Sequence, residues 1–495
     1  MVGAILFVQA RGEWAFQKRN LVAAQVFTVG VSLLLVWWTF LSRAPSRLRL
    51  SVTYGLVVSI VVFFSLFRAR GTTGDLIPIF ELRWAKSRIL TGDRTNHFAV
   101  IQPSNGPTDP GFPQFLGINR DGVLSGPQLE TNWTSHPPKV VWRQRVGAAC
   151  SGFAIAGGLA ITQEQRGEQE CVVAYDLAGG PQVWLHADKA RYATVIGGEG
   201  PRATPTVVSN RVFTFGATGI LNCFELANGR LVWTRDVVRE SGGKVLEWGC
   251  TSSPLVVNGL VVVHGGEGAR QSLHAYRMTN GEPAWTGGAA TPSYASLSLA
   301  SLAGVSQLLA FNDGSISGHD PATGATLWER PWGNGNVVCS SPVMVASNRV
   351  LFSSGYGVGA QLLEFSQGPT GTLSAQLVWK SPRMKAKFAH IFARDGSLYG
   401  LDDGILACVN LADGSQRWKE GRYGHGQGLL VGALYLLMAE SGEIVLLRPT
   451  PEAPNELARL RVFNSKTWNP IALSGDVLLV RNDQEAVCLK LPLAP

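Results

Sequence analysis

The chain has 495 residues, of which 45% are hydrophobic and only 16% charged, with 57 Gly and 15 Trp. That much apolar material excludes a disordered chain or a disulfide-held miniprotein. The composition also excludes a long coiled coil, and a net charge of +8 with no concentrated basic run gives nucleic-acid binding no support. In chain order, residues 1–20 read as an N-terminal tail. The uncharged runs 21–41 and 51–67 are bounded by Arg19, Arg43, Arg49 and Arg68. They predict a transmembrane helical hairpin over 21–70, with the membrane as partner through residues 21–67. Trp37 and Trp38 sit near one end, as interfacial residues do. No small-residue cleavage pattern follows, so the hairpin reads as retained. Arg43, Arg47 and Arg49 in its loop compete with Arg11, Lys18 and Arg19 before it and with Arg68, Arg70, Arg83, Lys86 and Arg88 after it. Charge therefore leaves the orientation open. Residues 71–110 read as a linker whose stretch D-L-I-P-I-F-E-L-R-W (75–84) lies at the membrane surface.

Residues 111–495 read as one domain, and beyond about residue 140 the chain repeats itself. The unit A-Y-D-L-A-G-G-P-Q-V-W (174–184) recurs as C-F-E-L-A-N-G-R-L-V-W (223–233) and A-Y-R-M-T-N-G-E-P-A-W (275–285). It recurs again as G-H-D-P-A-T-G-A-T-L-W (318–328) and C-V-N-L-A-D-G-S-Q-R-W (408–418), with a looser copy ending at Trp379. A Gly after a polar triplet suits a turn that needs a left-handed residue. A recurrent Trp suits a wedge between neighbouring sheets. Each unit follows a lead-in of two short strands around a turn, such as T-P-T-V-V-S-N-R-V-F-T-F (204–215) and S-P-L-V-V-N-G-L-V-V-V (253–263). Four strands recurring every 39 to 52 residues make a propeller blade. Trp142, Trp184, Trp233, Trp285, Trp328, Trp379 and Trp418 mark seven outer strands, and R-L-R-V-F near 461 marks an eighth. The expected fold is all-β, an eight-bladed propeller of four-stranded blades preceded by the membrane hairpin. The strand near Trp142 has no blade of its own, and the C-terminal strands stop at three. Their pairing would close the ring.

The seven cysteines show no C-x-x-C spacing, and Cys223 and Cys408 occupy the small-residue slot of the unit. They read as small buried hydrophobes. The eight histidines show no metal-ligand spacing, and no nucleotide or hydrolase motif appears.

The unit resembles the tryptophan-docking repeat of pyrroloquinoline-quinone (PQQ) proteins, A-x-D-x-x-x-G-x-x-x-W, which Ala174, Asp176, Gly180 and Trp184 match in full. The segment F-P-Q-F-L-G-I-N-R-D-G-V (112–123) resembles the opening of many bacterial PQQ-binding-like propellers, as does P-R-A-T-P-T-V (201–207). The resemblance implies a bacterial, inner-membrane-anchored propeller facing the periplasm, related to the outer-membrane-assembly propeller lipoprotein and to quinoprotein dehydrogenases. It implies N-terminus out and hairpin loop in. A dehydrogenase oxidising an alcohol or sugar would need PQQ with calcium, and in many cases an adjacent Cys-Cys pair. No such pair is present, and no Glu, Asn and Asp set aligns by motif. The reading is therefore a binding or scaffolding module, catalytic residues none, metal none and cofactor none. A PQQ-dependent dehydrogenase is the alternative.

Residues just before each innermost strand ring one mouth of a propeller's channel. Here they are Arg202, Trp248, Tyr294, Asn336, Lys385, Lys387, His390, His425, Lys466 and Trp468. Their cations and aromatics point to a protein or anionic small-molecule partner.

Overall fold

In the computed structural model the described residues are 1–11, 14, 16–84, 111–333, 337–369 and 372–494. They fall into two units, residues 1–88 with 194–198, and the rest of the chain from 89 onward. In the first unit, helix α1 (Val2–Gln9) precedes α2 (Phe16–Val36), which runs on through a π-helical segment, Trp37–Leu41, and then comes α3 (Ser46–Leu66). At 1.5 Å per residue the two long helices measure about 39 and about 31 Å, enough to cross a bilayer core of about 30 Å. Helix α3 starts earlier than the uncharged run suggests, because Arg47 and Arg49 lie within its first turns. The linker expected from residue 71 also gives way to structure. Strands β1 (Phe67–Thr72) and β2 (Pro78–Leu82) pair as an antiparallel hairpin directly after α3.

The second unit is a ring of eight antiparallel sheets. Blades 1 to 7 comprise residues 154–188, 206–236, 255–287, 298–331, 343–381, 392–422 and 427–461. Blade 8 takes residues 472–490 as three strands and receives β4 (Lys139–Arg145) as its fourth. The expected ring closure is present, with Trp142 opposite Cys488. A short strand β3 (Val123–Leu124) adds in parallel to the innermost strand of blade 7.

The repeat unit explains the ring. In each of seven blades the unit Trp faces one residue across the outer strand pair: Ala174, Cys223, Ala275, Gly318, Leu362, Cys408 or Cys488. One extra residue bulges out beside that pair, and blade 7, which lacks the Trp, bulges at the same place, Leu446/Leu447. Such a bulge bends the strand and re-aims the side chain. The indole then reaches the next blade. Trp142 Nε1 donates to Leu177 O (2.9 Å), Trp184 to Leu226 O (2.9 Å), Trp233 to Met278 O (3.1 Å) and Trp379 to Leu411 O (2.8 Å). The acceptor is each time the fourth residue of the following unit. The floor under the ring is that unit's Gly: Gly180, Gly229, Gly281, Gly324 and Gly414 all have φ between +67° and +89°. A Cβ on any of them would come within 3.0 Å of the incoming Trp ring. So the Gly serves a turn and a docking surface at once. Blade 5 carries the looser copy. Trp328 there meets Phe365 (4.9 Å between ring centres) and donates instead to Gln307 Oε1 within its own blade.

The inner rim has its own staples. Gly152 N–H donates to Thr204 Oγ1, Thr204 N–H to Ser253 Oγ and Ser253 N–H to Ser296 Oγ, at 3.0–3.2 Å, each time one blade onward. Asn469 Nδ2 closes the seam by donating to Ala149 O and Ser151 O. The Ser or Thr of the lead-in, before Pro at Thr204 and Ser253 and before Leu at Ser296, is thus a circumferential clasp. All seven cysteines are unpaired thiols.

Trp233→Ala is expected to lower stability by about 3–5 kcal/mol through the cavity it leaves. Gly229→Ala should cost about 2–4 kcal/mol, from its backbone conformation plus collision with Trp184. Gly259 has φ +73° and open space around it. Gly259→Ala should therefore cost only about 1 kcal/mol. Urea denaturation midpoints of the three variants test this order.

Candidate functional site

Because all blades run in one direction, the loops entering the innermost strands share one mouth with the turns joining each blade's second and third strands. Around it the side chains form a connected arc. The Arg202 guanidinium lies 4.5 Å from the Tyr192 ring centre, and the Tyr192 hydroxyl donates to Glu247 O. Trp248, the next residue, stacks on Tyr294 at 5.2 Å and lies 6.5 Å from Tyr356. Its backbone N–H donates to the Tyr294 hydroxyl (3.3 Å). Burial pushes both the Tyr294 and Tyr356 phenols well above their ordinary range, so both stay neutral donors. Lys387 Nζ stands 5.6 Å from the Tyr356 ring centre and 3.2 Å from His425 Nε2. Phe388 lies 5.6 Å from His425 and 5.1 Å from Trp468. Lys466 Nζ sits 3.6 Å over Trp468, whose Nε1 donates to Glu440 Oε1 (3.0 Å). The other Glu440 oxygen accepts the His425 N–H (3.0 Å).

Seven of the ten sequence-predicted residues belong to this arc: Arg202, Trp248, Tyr294, Lys387, His425, Lys466 and Trp468. Asn336 lies outside the described residues. Lys385 and Lys387 are placed at the mouth, but their charges are paired. Lys385 Nζ meets Asp402 Oδ1 at 2.8 Å, and Lys419 Nζ meets the other oxygen at 3.1 Å. Lys387 Nζ meets Asp403 Oδ1 at 3.3 Å, with its side chain only 1% exposed. The sequence presents these lysines as cations available to a ligand. The structure presents them as parts of a buried ion cluster that ties blade 6 to the loop before it. Lys466 and Arg202 lie half-buried over the Trp468 and Tyr192 rings. Tyr192, Tyr356, Phe388, Asp402, Asp403 and Glu440 complete the site and were not singled out from sequence. Three of their segments are turns between second and third strands, G-Y-G (355–357), D-D-G (402–404) and E-S-G (440–442). Their signal was positional: each directly precedes the third strand of its blade.

His390 is buried for another reason. Its Nε2 meets Asp121 O, in a segment that runs inside the ring. Phe112 and Ile155 of blade 1 exchange main-chain hydrogen bonds, and Val207 of blade 2 donates to Pro113 O. Arg120 Nη1 and Nη2 donate to Pro254 O (3.0 Å) and Ser253 O (3.1 Å) of the blade 3 lead-in. Leu430 of blade 7 donates to Gly122 O. Residues 111–125 therefore line the channel edges of five blades, as a plug. Burial lowers the Arg120 guanidinium to about 10, which leaves it charged at neutral pH and held by carbonyl oxygens.

Residues 139–420 match the model of the family described as outer membrane protein assembly factor BamB, and the chain belongs to that family. Among solved structures it is similar to BamB from Moraxella catarrhalis, at 15% identity and TM-score 0.52, covering 72% of this chain and 100% of that one. It is also similar to the computationally designed Ika8 protein, at 10% identity and TM-score 0.51, covering 71% and 98%. A europium-containing methanol dehydrogenase aligns at 12% identity and TM-score 0.46, covering 78% and 99%. No curated protein sequence matches. At these identities the solved structures show the fold alone.

Lys387→Met leaves Asp403 buried without its ammonium partner and should cost about 3–5 kcal/mol, of which Lys387→Met with Asp403→Asn regains a large part. A double-mutant cycle by urea denaturation reads the coupling. Glu170, on the mouth side of blade 1, accepts from the Ala217 N–H of blade 2, and burial raises its carboxyl to about 7. The folded chain thus holds this proton more tightly than the unfolded one. The contribution is present below about pH 4.5 and is lost as pH rises through about 7. Glu170→Gln should melt with the parent at pH 5 and above it at pH 8, by calorimetry at both values.

Proposed function

We propose that the chain is a membrane-anchored propeller that binds a polypeptide partner at its aromatic mouth, on the periplasmic side of the bacterial inner membrane. The observation that carries this reading is the arc of half-buried rings, Trp248, Tyr294, Tyr356, Phe388 and Trp468, with Lys466 and Arg202 laid on aromatic faces. Aromatic residues and Arg are the types enriched in interface cores, and clustered rings with part of each face exposed are how binding hot spots are built. Family membership supports a cell-envelope role, since the family is described by an assembly factor of the outer membrane. Helices α2 and α3 supply the anchor, and Arg43 between them with Arg47 and Arg49 in the first turns of α3, with no acid beside them, favour that end on the cytoplasmic side.

Quinone-dependent oxidation is the competing reading, and the described acidic side chains lend its cofactor little support. Calcium takes six to eight oxygen ligands. Among the described residues no three His, Cys, Asp or Glu side chains gather closely enough to hold a metal. Of the arc's carboxylates, Asp402 and Asp403 are held by lysines, and Glu440 accepts from the His425 backbone N–H and Trp468 Nε1.

A photo-crosslinking residue at Tyr356 should capture a polypeptide in native membranes, whereas the same residue at Leu231, exposed on the outer face of blade 2, should not. Trp248→Ala with Trp468→Ala should weaken capture about 30-fold or more, the loss of one strong hot spot at least. Equal capture at both positions, or capture untouched by the double variant, overturns the reading. Incubation with PQQ and calcium followed by gel filtration should leave no quinone absorbance on the protein. A retained chromophore would favour the dehydrogenase.

A further inference from the structure

The hairpin of β1 and β2 is two-faced, and the fold places it at a defined level. Helix α3 ends at Leu66 and β1 begins at Phe67 with no residue between them. The far end of β2 returns to that same level. Phe67 pairs with Leu82, the Arg83 N–H donates to Leu66 O (2.8 Å), and Arg83 Nε donates to Phe64 O (2.8 Å). Arg83 thus satisfies two of the carbonyls that a helix C-terminus leaves open, where a cation also suits the helix dipole. Phe80 reaches further down: its ring meets Phe63 edge-on at 5.2 Å, and Phe63 stacks on Phe67 at 5.0 Å. Phe63 lies one turn inside α3, about 5 Å below its end.

The turn of the hairpin is held at the other helix. Gln17 Nε2 donates to Gly74 O (3.0 Å) and Asn20 Nδ2 to Asp75 O (2.9 Å), both from the first turns of α2. The hairpin, roughly 16–20 Å long at strand rise, therefore lies across the ends of both long helices rather than projecting from them. Its two faces differ. Arg68 and Arg70 meet Glu81 at 2.7 and 3.7 Å on one. Phe67, Ala69, Phe80 and Leu82 alternate onto the other. Phe80 is 43% exposed, Leu82 40% and Trp84 just beyond 63%, so among the described residues these side chains are left largely uncovered.

We propose that this hairpin is a membrane-interface element, with Phe80, Leu82 and Trp84 seated in lipid at the headgroup–acyl boundary and the Arg68–Glu81 pair turned to water. The inference rests on the reading of α2 and α3 as bilayer spans. Continuity with α3 is what names lipid as the occupant: side chains level with a spanning helix's last turn meet the same medium as that turn. Aromatic rings and snorkelling cations are the residue types that this zone selects. The hairpin then fixes how deeply and at what tilt the two helices sit, a role distinct from that of the spans themselves.

The test is site-directed spin labelling of the full chain in phospholipid nanodiscs, with cysteine at Val57, Phe80, Trp84 or Arg68 in turn. Label uptake by the unsubstituted chain, with its seven native thiols, gives the background. Power saturation compares oxygen, which partitions into lipid, with a water-soluble nickel chelate. The expected log ratio of accessibilities is highest at Val57→Cys in mid-α3, positive but smaller at Phe80→Cys and Trp84→Cys, and negative at Arg68→Cys. A negative ratio at Phe80→Cys and Trp84→Cys with Val57→Cys still positive places the hairpin in water and overturns the proposal. Shielding of both from either reagent means a protein surface covers them and overturns it too. A negative ratio at Val57→Cys refutes the span itself, a failure distinguishable from the other two.

Discussion

One contact organises the ring: the tryptophan of a blade laid on the glycine of the next blade's unit. It joins two demands that are separate in most β-proteins. A tight turn wants a residue without Cβ because its φ is positive. A large indole wants a flat surface with nothing rising from it. Placing both on one glycine means that the turn forms its neighbour's docking site as it forms. Each docked Trp removes on the order of 150–250 Å² from water, an upper bound of roughly 4–6 kcal/mol. The N–H groups of Trp142, Trp184, Trp233 and Trp379 are satisfied by the carbonyl beside that same turn. Outer rim and inner rim are then fastened by different chemistry, indoles outside and hydroxyl or amide clasps inside.

The mouth inherits its character from this division. With blades held at both rims, the loops between them need not pack the ring, and they carry rings and charges that no core requires. The Lys385, Lys387, Lys419, Asp402 and Asp403 cluster is nonetheless interior. Burying Lys387 and two carboxylates, with Lys385 and Lys419 half-buried beside them, is tolerable because each carboxylate has a lysine within 3.3 Å. What remains at the surface is aromatic more than basic.

The repeat was legible because its chemistry recurs at fixed spacing. Even blade 7, without a Trp, was countable from R-L-R-V-F, since its outer strand keeps the alternation and the bulge of the others. The start of the clasp was visible too, as Ser or Thr before Pro, though not its purpose, because the partner is a backbone N–H in another blade. Mouth residues in loops were found by position alone. Those in turns were missed because G-Y-G and D-D-G look the same in any β-hairpin. The charge state of the mouth was beyond sequence for a plainer reason. Lys387 and Asp403 are 16 residues apart with two strands between them, and only the folded blade brings them together. The plug was recognisable as an opening segment, yet Arg120 reaches main-chain oxygens more than 130 residues away, which carry no side-chain signature.

Strand β4 has a consequence in time. It leaves the ribosome at residues 139–145, and its partner strand, Glu485–Lys490, comes last. Trp142 waits for Cys488, 346 residues later, which at roughly 5–20 residues per second is on the order of 20–70 s. Throughout that interval seven blades assemble as an open crescent. The earliest-made strand is thus a latch held ready, and the molecule is an arc for most of its birth before it becomes a ring.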